Sequence, residues 1–549
     1  MIPLKFCQLS TGRCLIAVRR LTEKRMSHSS IVESMTRADF YPHKLQTVEL
    51  FQTHISYVFI AGDYVYKVKK PVNFGFLDFT TLEQRKFYCE EELRLNRRLA
   101  PSIYLDVVPI MQDSSGNLSL GGSGQVIEYA VRMKRLPMDK MLKILLAKNQ
   151  ADQNIMDAVA EKVARFHKAA ETGGKIDQMG SIKTIRHNTD ENFEQTEKYV
   201  DVTIPAYQFH FIREYVKKFL ASNKDLLEKR IAQHKIRDCH GDLHLEHICV
   251  ADEIIIFDCI EFNERFRFSD VAAEVAFLTM DLDYNGYTRQ AEDFVYAYLK
   301  YSDDTDLQAL LNFYRCYYAY VRGKVISFRL DQKEIAEIER TEIKKIASKY
   351  FDLAYTYAAR LEKPVLILTA GLIGSGKSYQ AQKLAARLGA DVIRTDILRK
   401  EMLNIKPAEK HQESFGQGIY ARDVSQKTYE KAIELAAEKI QRGRPVIIDA
   451  SFKNRSDRAL AVNLSERLQV PFYIIECICP DDIVKIRLEK RKLDKDNPSD
   501  GRWEILQEQK NQYEEIKEIS GDSCFRVDTA ANPEIFRQNI IRTIKMAEL

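Results

Sequence analysis

A chain of 549 residues, 45% apolar and 30% charged, is long enough for several cores and ordinary for a soluble globular protein. A formal net charge of +4 is too small to imply a nucleic-acid or anionic-membrane partner by itself, and no apolar run approaches the ~20 residues of a membrane span. Ten scattered cysteines, without a spaced framework, argue against a secreted disulfide scaffold and for a cytoplasmic location.

In chain order, residues 1–30 form a basic leader, with Lys5, Arg13, Arg19, Arg20, Lys24 and Arg25 against Glu23. Such a leader suits either a transit-type segment or an upstream start ahead of Met26, and is expected to be poorly ordered. Residues 31–135 read as a strand-rich lobe. Strands at Val58–Ile60 and Tyr64–Val68 flank the turn pair Gly62 and Asp63, a hairpin signal. A helix is predicted over Leu82–Leu99, and strands over Val107–Met111 and Val126–Met133, around a loop at Asp113–Gly124. Residues 136–362 read as mainly helical, for example Ile155–Ala170 and Leu307–Val325, with a small β insert at Ile248–Val250 and Ile254–Asp258. Residues 363–549 alternate strands (365–369, 391–394, 446–449, 472–476) with helices (377–388, 424–442, 454–468, 481–492), which implies a mainly parallel sheet covered on both faces.

Chemistry gathers at two places. His240, Gly241 and Asp242 are followed by His247, and then by Asp258 at the end of an apolar strand. Two carboxylates so placed suit phosphoryl transfer, one taking the attacking hydroxyl's proton and one holding Mg²⁺. A cation for the phosphates is available at Lys67, with Lys69 on the same strand face as a fallback, and Glu92 is a candidate partner on the next helix.

These residues resemble the aminoglycoside phosphotransferase-like kinases over about residues 45–330. The resemblance implies a two-lobed, protein-kinase-like α+β fold, with Lys67 as phosphate lysine, Glu92 as its partner, Asp242 as base and Asp258 as metal ligand. One position departs from that family: His247 stands where its loop carries asparagine. Because Mg²⁺ prefers oxygen, three readings stay open. The second ion is absent, His247 meets phosphate directly, or the lobe is a weakly catalytic or purely regulatory module. A zinc site built from Cys239, His240, His244, His247, Cys249 and Cys259 is the rival, and its spacing matches no common finger. The wording of the loop resembles a subfamily of two-domain proteins that pair this lobe with a P-loop kinase.

The second place is Gly371, Gly374, Ser375, Gly376, Lys377 and Ser378, a complete phosphate-binding loop between the apolar strand Pro364–Thr369 and a helix reaching Leu388. Backbone N–H groups there cradle phosphates, Lys377 reaches the β/γ oxygens and Ser378 can hold Mg²⁺. Downstream, Asp396 at a strand end can take a proton from an acceptor hydroxyl, or cap a helix, and Arg399 can hold an anionic acceptor. Asp449 ends another strand and can support Mg²⁺. Arg487 and Arg491, four apart on a helix, precede a polar stretch, Lys492–Gly501, that reads as a lid carrying them to the transferring group. This half resembles small P-loop kinases, including the 5′-hydroxyl kinase part of phage polynucleotide kinase. ATP and Mg²⁺ are the expected cofactors. The expected acceptors are small molecules with a hydroxyl group; a nucleic-acid 5′ end is the alternative, against which the modest net charge counts.

Of the remaining residues, His167 reads as a satisfied core histidine, Cys477 and Cys479 as packing residues of one strand face, and Arg315, Arg322 and Lys324 as either a pocket for an anion or a solvated helix face.

Overall fold

A computed structural model describes residues 26–75, 77–332, 335–406, 409, 416–492, 502–519 and 521–549. The first 25 residues of the leader and, of the lid expected at 492–501, residues 493–501 lie outside the described residues. Its last residues do not: Met26–Met35 is a helix, and Ile31 and Met35 are buried against Tyr41, Phe59 and Tyr66. The chain divides into two compact units. The first runs to Phe209 and resumes over Asn223–Ala354; the second is His210–Ser222 with Tyr355–Leu549, a division that differs from the one expected at 362/363. In the second unit Lys218 Nζ donates to the carbonyl of Met546 at 2.9 Å and Arg542 pairs with Glu214 at 2.9 Å, so its short helical segment is held by the C-terminal helix Pro533–Glu548.

The first unit opens with a six-stranded sheet in the order 48–52, 56–61, 64–69, 125–134, 104–112, 118–120, antiparallel throughout. The hairpin read from Gly62 and Asp63 is there, with Ala61 opposite Tyr64. Strands 48–52 and 118–120 were not legible; both lie at the sheet's edges and are largely exposed or half-buried, so they lack a clean alternation. Helix Leu82–Asn96 begins at a capping box of Thr81 and Gln84 and buries Arg85, Cys89, Glu92 and Asn96, which recur at the three-to-four spacing of one helix face. In strand Tyr64–Lys69 the period-two alternation sends Tyr66 and Val68 to one core while Lys67 and Lys69 meet that helix.

The rest of the unit is mainly helical. Helix Val271–Tyr284 is buried from Val271 to Leu282, and the helices Gln153–Ala169, Thr288–Ser302 and Leu307–Ser327 share that core. Two small antiparallel pairs, 236–238 with 268–270 and 248–250 with 254–256, bracket the loop that carries His240 to His247.

The second unit is a five-stranded parallel sheet in the order 391–394, 446–449, 366–370, 472–478, 524–528. Strands rich in isoleucine, leucine and valine are buried on both faces, as parallel strands are, and Leu366, Leu368, Ile448 and Ile474 share a core with Ala432, Ala436, Ala461 and Leu464 of the flanking helices. The edge strand Cys524–Asp528 buries only Val527, and its weak pattern escaped the sequence reading.

Candidate active sites

Within the first unit, Lys67 Nζ lies 2.6 Å from Glu92 Oε1 and 2.8 Å from Asp258 Oδ1. Lys69, fully buried, takes the other Glu92 oxygen at 2.7 Å and Glu261 at 2.5 Å. Glu92 therefore serves both strand lysines, and the expected fallback cation has a role of its own. Burial alone would lower the Lys67 pKa, but Asp258, Glu92 and Glu261 outweigh it and keep the ammonium charged well above the ordinary lysine range.

Asp258 follows the strand Ile254–Ile256 and adopts a left-handed backbone, φ 64°. Its N–H donates to Tyr104 Oη at 3.2 Å, and the next N–H, of Cys259, donates to Asn96 Oδ1 at 2.9 Å. The loop 240–247 is tied to the same segment: His240 Nε2 lies 2.9 Å from the Phe257 carbonyl, and the Phe257 N–H donates to the His247 carbonyl at 3.1 Å. Gly241 has φ 83°, and a Cβ there would stand 2.9 Å from the Phe266 carbonyl, so the turn into Asp242 requires glycine.

His247 stands between the two carboxylates. Its Nδ1 is 2.9 Å from the Asp242 carbonyl and 3.6 Å from Asp242 Oδ2; its Nε2 is 3.6 Å from Asp258 Oδ2. Burial, reinforced by His244, pushes the His247 pKa down to about 3, leaving a neutral imidazole. For Asp242 burial acts upward, yet His244, His247 and Arg322 hold the carboxyl well below the usual range, so it is ionised and able to accept a proton.

In the second unit the parallel sheet brings strand ends to one edge, where ligands of open α/β sheets bind. The loop 371–376 follows the central strand Leu366–Ala370, and register puts Thr369 beside Asp449. Gly371 (φ 129°), Gly374 (φ 74°) and Gly376 (φ 92°) are all left-handed. Side chains at Gly371 and Gly374 would strike the Cys477 carbonyl at 2.3 Å and Val484 at 2.7 Å. Lys377 opens the helix Lys377–Leu388 and folds back to the Leu372 carbonyl at 2.8 Å. The buried Asp449 accepts from Thr369 Oγ1 at 3.1 Å; burial raises its pKa against the opposing hydrogen bond from Ser378. A hydroxyl and a carboxylate side by side are hard oxygen donors and fit Mg²⁺.

Asp396 is not at the strand end, which is Arg394, nor is it the helix cap. It lies in the first turn of helix Thr395–Met402, with Arg399 Nη1 at 3.6 Å from its Oδ1. Arg399 also lies over the Tyr420 ring, 4.8 Å from its centroid. Burial lowers the Arg491 pKa while Asp396 pulls it up, which puts Arg491 in the field of this carboxylate. Arg487 is used otherwise than expected: its guanidinium donates to the Gly374 carbonyl at 3.4 Å, Thr529 Oγ1 at 2.8 Å and the Thr529 carbonyl at 2.7 Å. It braces the phosphate loop against the strand Cys524–Asp528 instead of reaching from a lid.

With both sites described, two family comparisons bear on them. Residues 83–310 match the model of the phosphotransferase enzyme family, and residues 366–516 match a model described as AAA domain. The chain joins a phosphotransferase-family domain to a P-loop domain. Its class is that of an ATP-dependent kinase. Uncharacterized proteins of Mycobacterium tuberculosis (strain ATCC 25618 / H37Rv) and Mycobacterium bovis are 29% identical over 446 residues, 81% of this chain and 86% of theirs. Among solved structures, a gluconokinase of Sinorhizobium meliloti 1021 is 21% identical, with TM-score 0.25, covering 34% of this chain and 95% of its own. An APS kinase of Mycobacterium tuberculosis is 18% identical, with TM-score 0.25, covering 34% and 99%.

The phosphotransferase domain contains supporting residues that sequence reasoning passed over. Glu274, buried on helix Val271–Tyr284, accepts the N–H of His240 at 3.1 Å and of Gly241 at 2.7 Å, and pairs with His167 Nε2 at 2.8 Å. Asp281, on the same helix, accepts the Leu245 N–H at 3.0 Å. Glu274 and Asp281, buried in a mostly apolar helix, were the available signal, since a buried carboxylate needs donors. His167 is the satisfied core histidine expected, bonded also to Tyr298. Arg315, Arg322 and Lys324 are buried, so the solvated-face reading fails: Arg315 donates to Thr279, Arg322 to Tyr350, and Lys324 to Asn192 and Gln195. Lys324 lines a cavity with Gly241, Asn188, Glu191, Arg265 and Tyr317, and burial lowers its pKa to about 8. No helix among the described residues is long and apolar enough to cross a membrane.

Proposed function

We propose that each domain transfers the γ-phosphoryl group of ATP to a hydroxyl of a small molecule, at two separate centres. In the phosphotransferase domain Lys67, oriented by Glu92, holds the nucleotide phosphates, Asp242 receives the acceptor's proton, and Asp258 with His247 holds the divalent ion. In the P-loop domain the backbone of 371–376 and Lys377 hold the phosphates, and Ser378 and Asp449 hold Mg²⁺. There Asp396 receives the acceptor's proton, while Arg399 and Arg491 face the anionic groups and Arg487 fixes the loop. When bound, the divalent ion offsets charge on the phosphates. The observation that carries this reading is the continuous chain of contacts Glu92–Lys67–Asp258 with Asp242 and its neighbour His247 alongside. A charged lysine and an ionised base are thus linked through Asp258 and His247.

Small acceptors are favoured because the cavity beside Gly241 combines aromatic walls with a few polar and charged side chains, Asn188, Glu191, Arg265 and Lys324, as a small polar metabolite would require. Burial raises the thiols of Cys89, Cys259 and Cys477 to about 12, which suits unreactive packing cysteines in a reducing cytoplasm.

Transfer of label from γ-labelled ATP into a cell metabolite extract tests the reading. Asp242→Asn should remove one labelled product and Lys377→Ala a different one. If Asp242→Asn leaves every product in place, the phosphotransferase domain is a binding or regulatory module. A 5′-hydroxyl oligonucleotide that takes up label in preference to every metabolite would reassign the second acceptor.

A further inference from the structure

The phosphotransferase centre sets an imidazole against a carboxylate where oxygen donors alone would serve Mg²⁺ best. The two ring nitrogens of His247 have different neighbours. Nδ1 sits 2.9 Å from the Asp242 carbonyl, an acceptor only, so the ring proton belongs there. The lone pair then lies on Nε2, and Nε2 faces Asp258 Oδ2 at 3.6 Å. A nitrogen and an oxygen at that separation can bind one ion with modest closure. An imidazole whose far N–H is given to a backbone carbonyl has the orientation that metal-bound histidines usually show.

His244 has the opposite arrangement. Its Nδ1 accepts the Glu246 N–H at 3.3 Å, so its proton sits on Nε2 and is directed at Asp242 Oδ2, 3.7 Å away. His244 thereby turns its N–H toward the base and is not a second nitrogen ligand, although Asp242, His244 and His247 cluster closely enough to suggest one. The ring of His247 is buried, whereas the side chain of Asp258 is 17% exposed, so the pair opens toward solvent on the Asp258 side.

We propose that this centre selects a divalent transition ion, which accepts an imidazole nitrogen more readily than Mg²⁺ does, over Mg²⁺, through His247 Nε2 and Asp258 Oδ2, with Mn²⁺ as the paramagnetic probe. The P-loop centre, with Ser378 and Asp449, keeps the oxygen-only preference for Mg²⁺. The inference rests on the reading of the first domain as a nucleotide-and-metal site.

Pulsed EPR of the full-length chain loaded with Mn²⁺ and a non-hydrolysable ATP analogue gives a readout independent of turnover. The expected result is ¹⁴N modulation from a directly bound imidazole, lost in His247→Asn and retained in His244→Asn. Folding of His247→Asn is checked by its continued binding of the analogue, and its Mn²⁺-over-Mg²⁺ preference should narrow. Two bound Mn²⁺ per chain with ³¹P coupling but no imidazole ¹⁴N, or ¹⁴N modulation that survives His247→Asn, would overturn the inference while leaving two nucleotide sites standing. A single bound Mn²⁺ per chain, lost on Lys377→Ala, would overturn both the inference and the reading beneath it.

Discussion

At the scale of single residues, the phosphotransferase centre is built from buried charges that are each shared. Glu92 divides its two oxygens between Lys67 and Lys69, and Glu274 divides its own among two backbone N–H groups and His167. Sharing of this kind is how ionised groups survive burial, because most of their lone pairs and protons are matched. Glu274 bonds only to the backbone N–H groups of His240 and Gly241 and to His167 among the contacts described above, so it is a positioning residue that fixes the turn into Asp242. Glu274→Gln keeps the shape but replaces one accepting oxygen by a donor that faces N–H groups. Each hydrogen bond to a charged group is worth about 1.5–3 kcal/mol, so the variant should lower kcat of the phosphotransferase reaction roughly tenfold or more while KM for ATP stays within about twofold. Steady-state kinetics with the identified acceptor makes the check. An unchanged kcat would mean that the turn holds without the carboxylate.

The elements show why some of this was legible and some was not. The phosphate loop could be read because its glycines, lysine and serine are contiguous and flanked by an apolar strand and an amphipathic helix. Lys67, Glu92 and the pair Asp242 and Asp258 lie in separate stretches of the chain; residue type nominated each of them, and the resemblance to a kinase family gave them their separate roles. The same resemblance could not find Glu274 or Asn96, whose work is to hold backbone N–H groups in place. Asp396 was placed at a strand end because the pattern Ile393, Arg394, Thr395 continues a β-branched run; the chain instead turns into helix at Thr395, whose hydroxyl donates to the Asp449 carbonyl at 3.1 Å. Glycine positions give the element-scale prediction. Gly371→Ala puts a Cβ 2.3 Å from the Cys477 carbonyl, a backbone atom that cannot step aside, and should abolish nucleotide binding by the P-loop domain. Gly443, also left-handed at φ 78°, has nothing within 4 Å of its would-be Cβ. Gly443→Ala should cost about 1–2 kcal/mol of stability and leave binding intact. Analogue binding and thermal melting of the two variants compare them; equal effects would contradict the close approach seen at Gly371.

For the whole molecule, the sequence reading separated an α+β kinase-like part from an α/β P-loop part, and both architectures are present. The division itself was harder to read. Residues 210–222 lie in the middle of the first part yet belong to the second unit, through contacts with a C-terminal helix more than ~300 residues away, and no local pattern announces a pairing at that separation. What the two units share is chemistry: each brings a lysine and carboxylates to one place within its own fold. The central claim is that one chain holds two complete sites for ATP. Equilibrium dialysis of the full-length protein against a non-hydrolysable ATP analogue, with Mg²⁺ and Mn²⁺ present, counts them. Two analogue molecules per chain in the wild type and one in Lys377→Ala is the result this account predicts. One per chain in the wild type, with none left in Lys377→Ala, would contradict it.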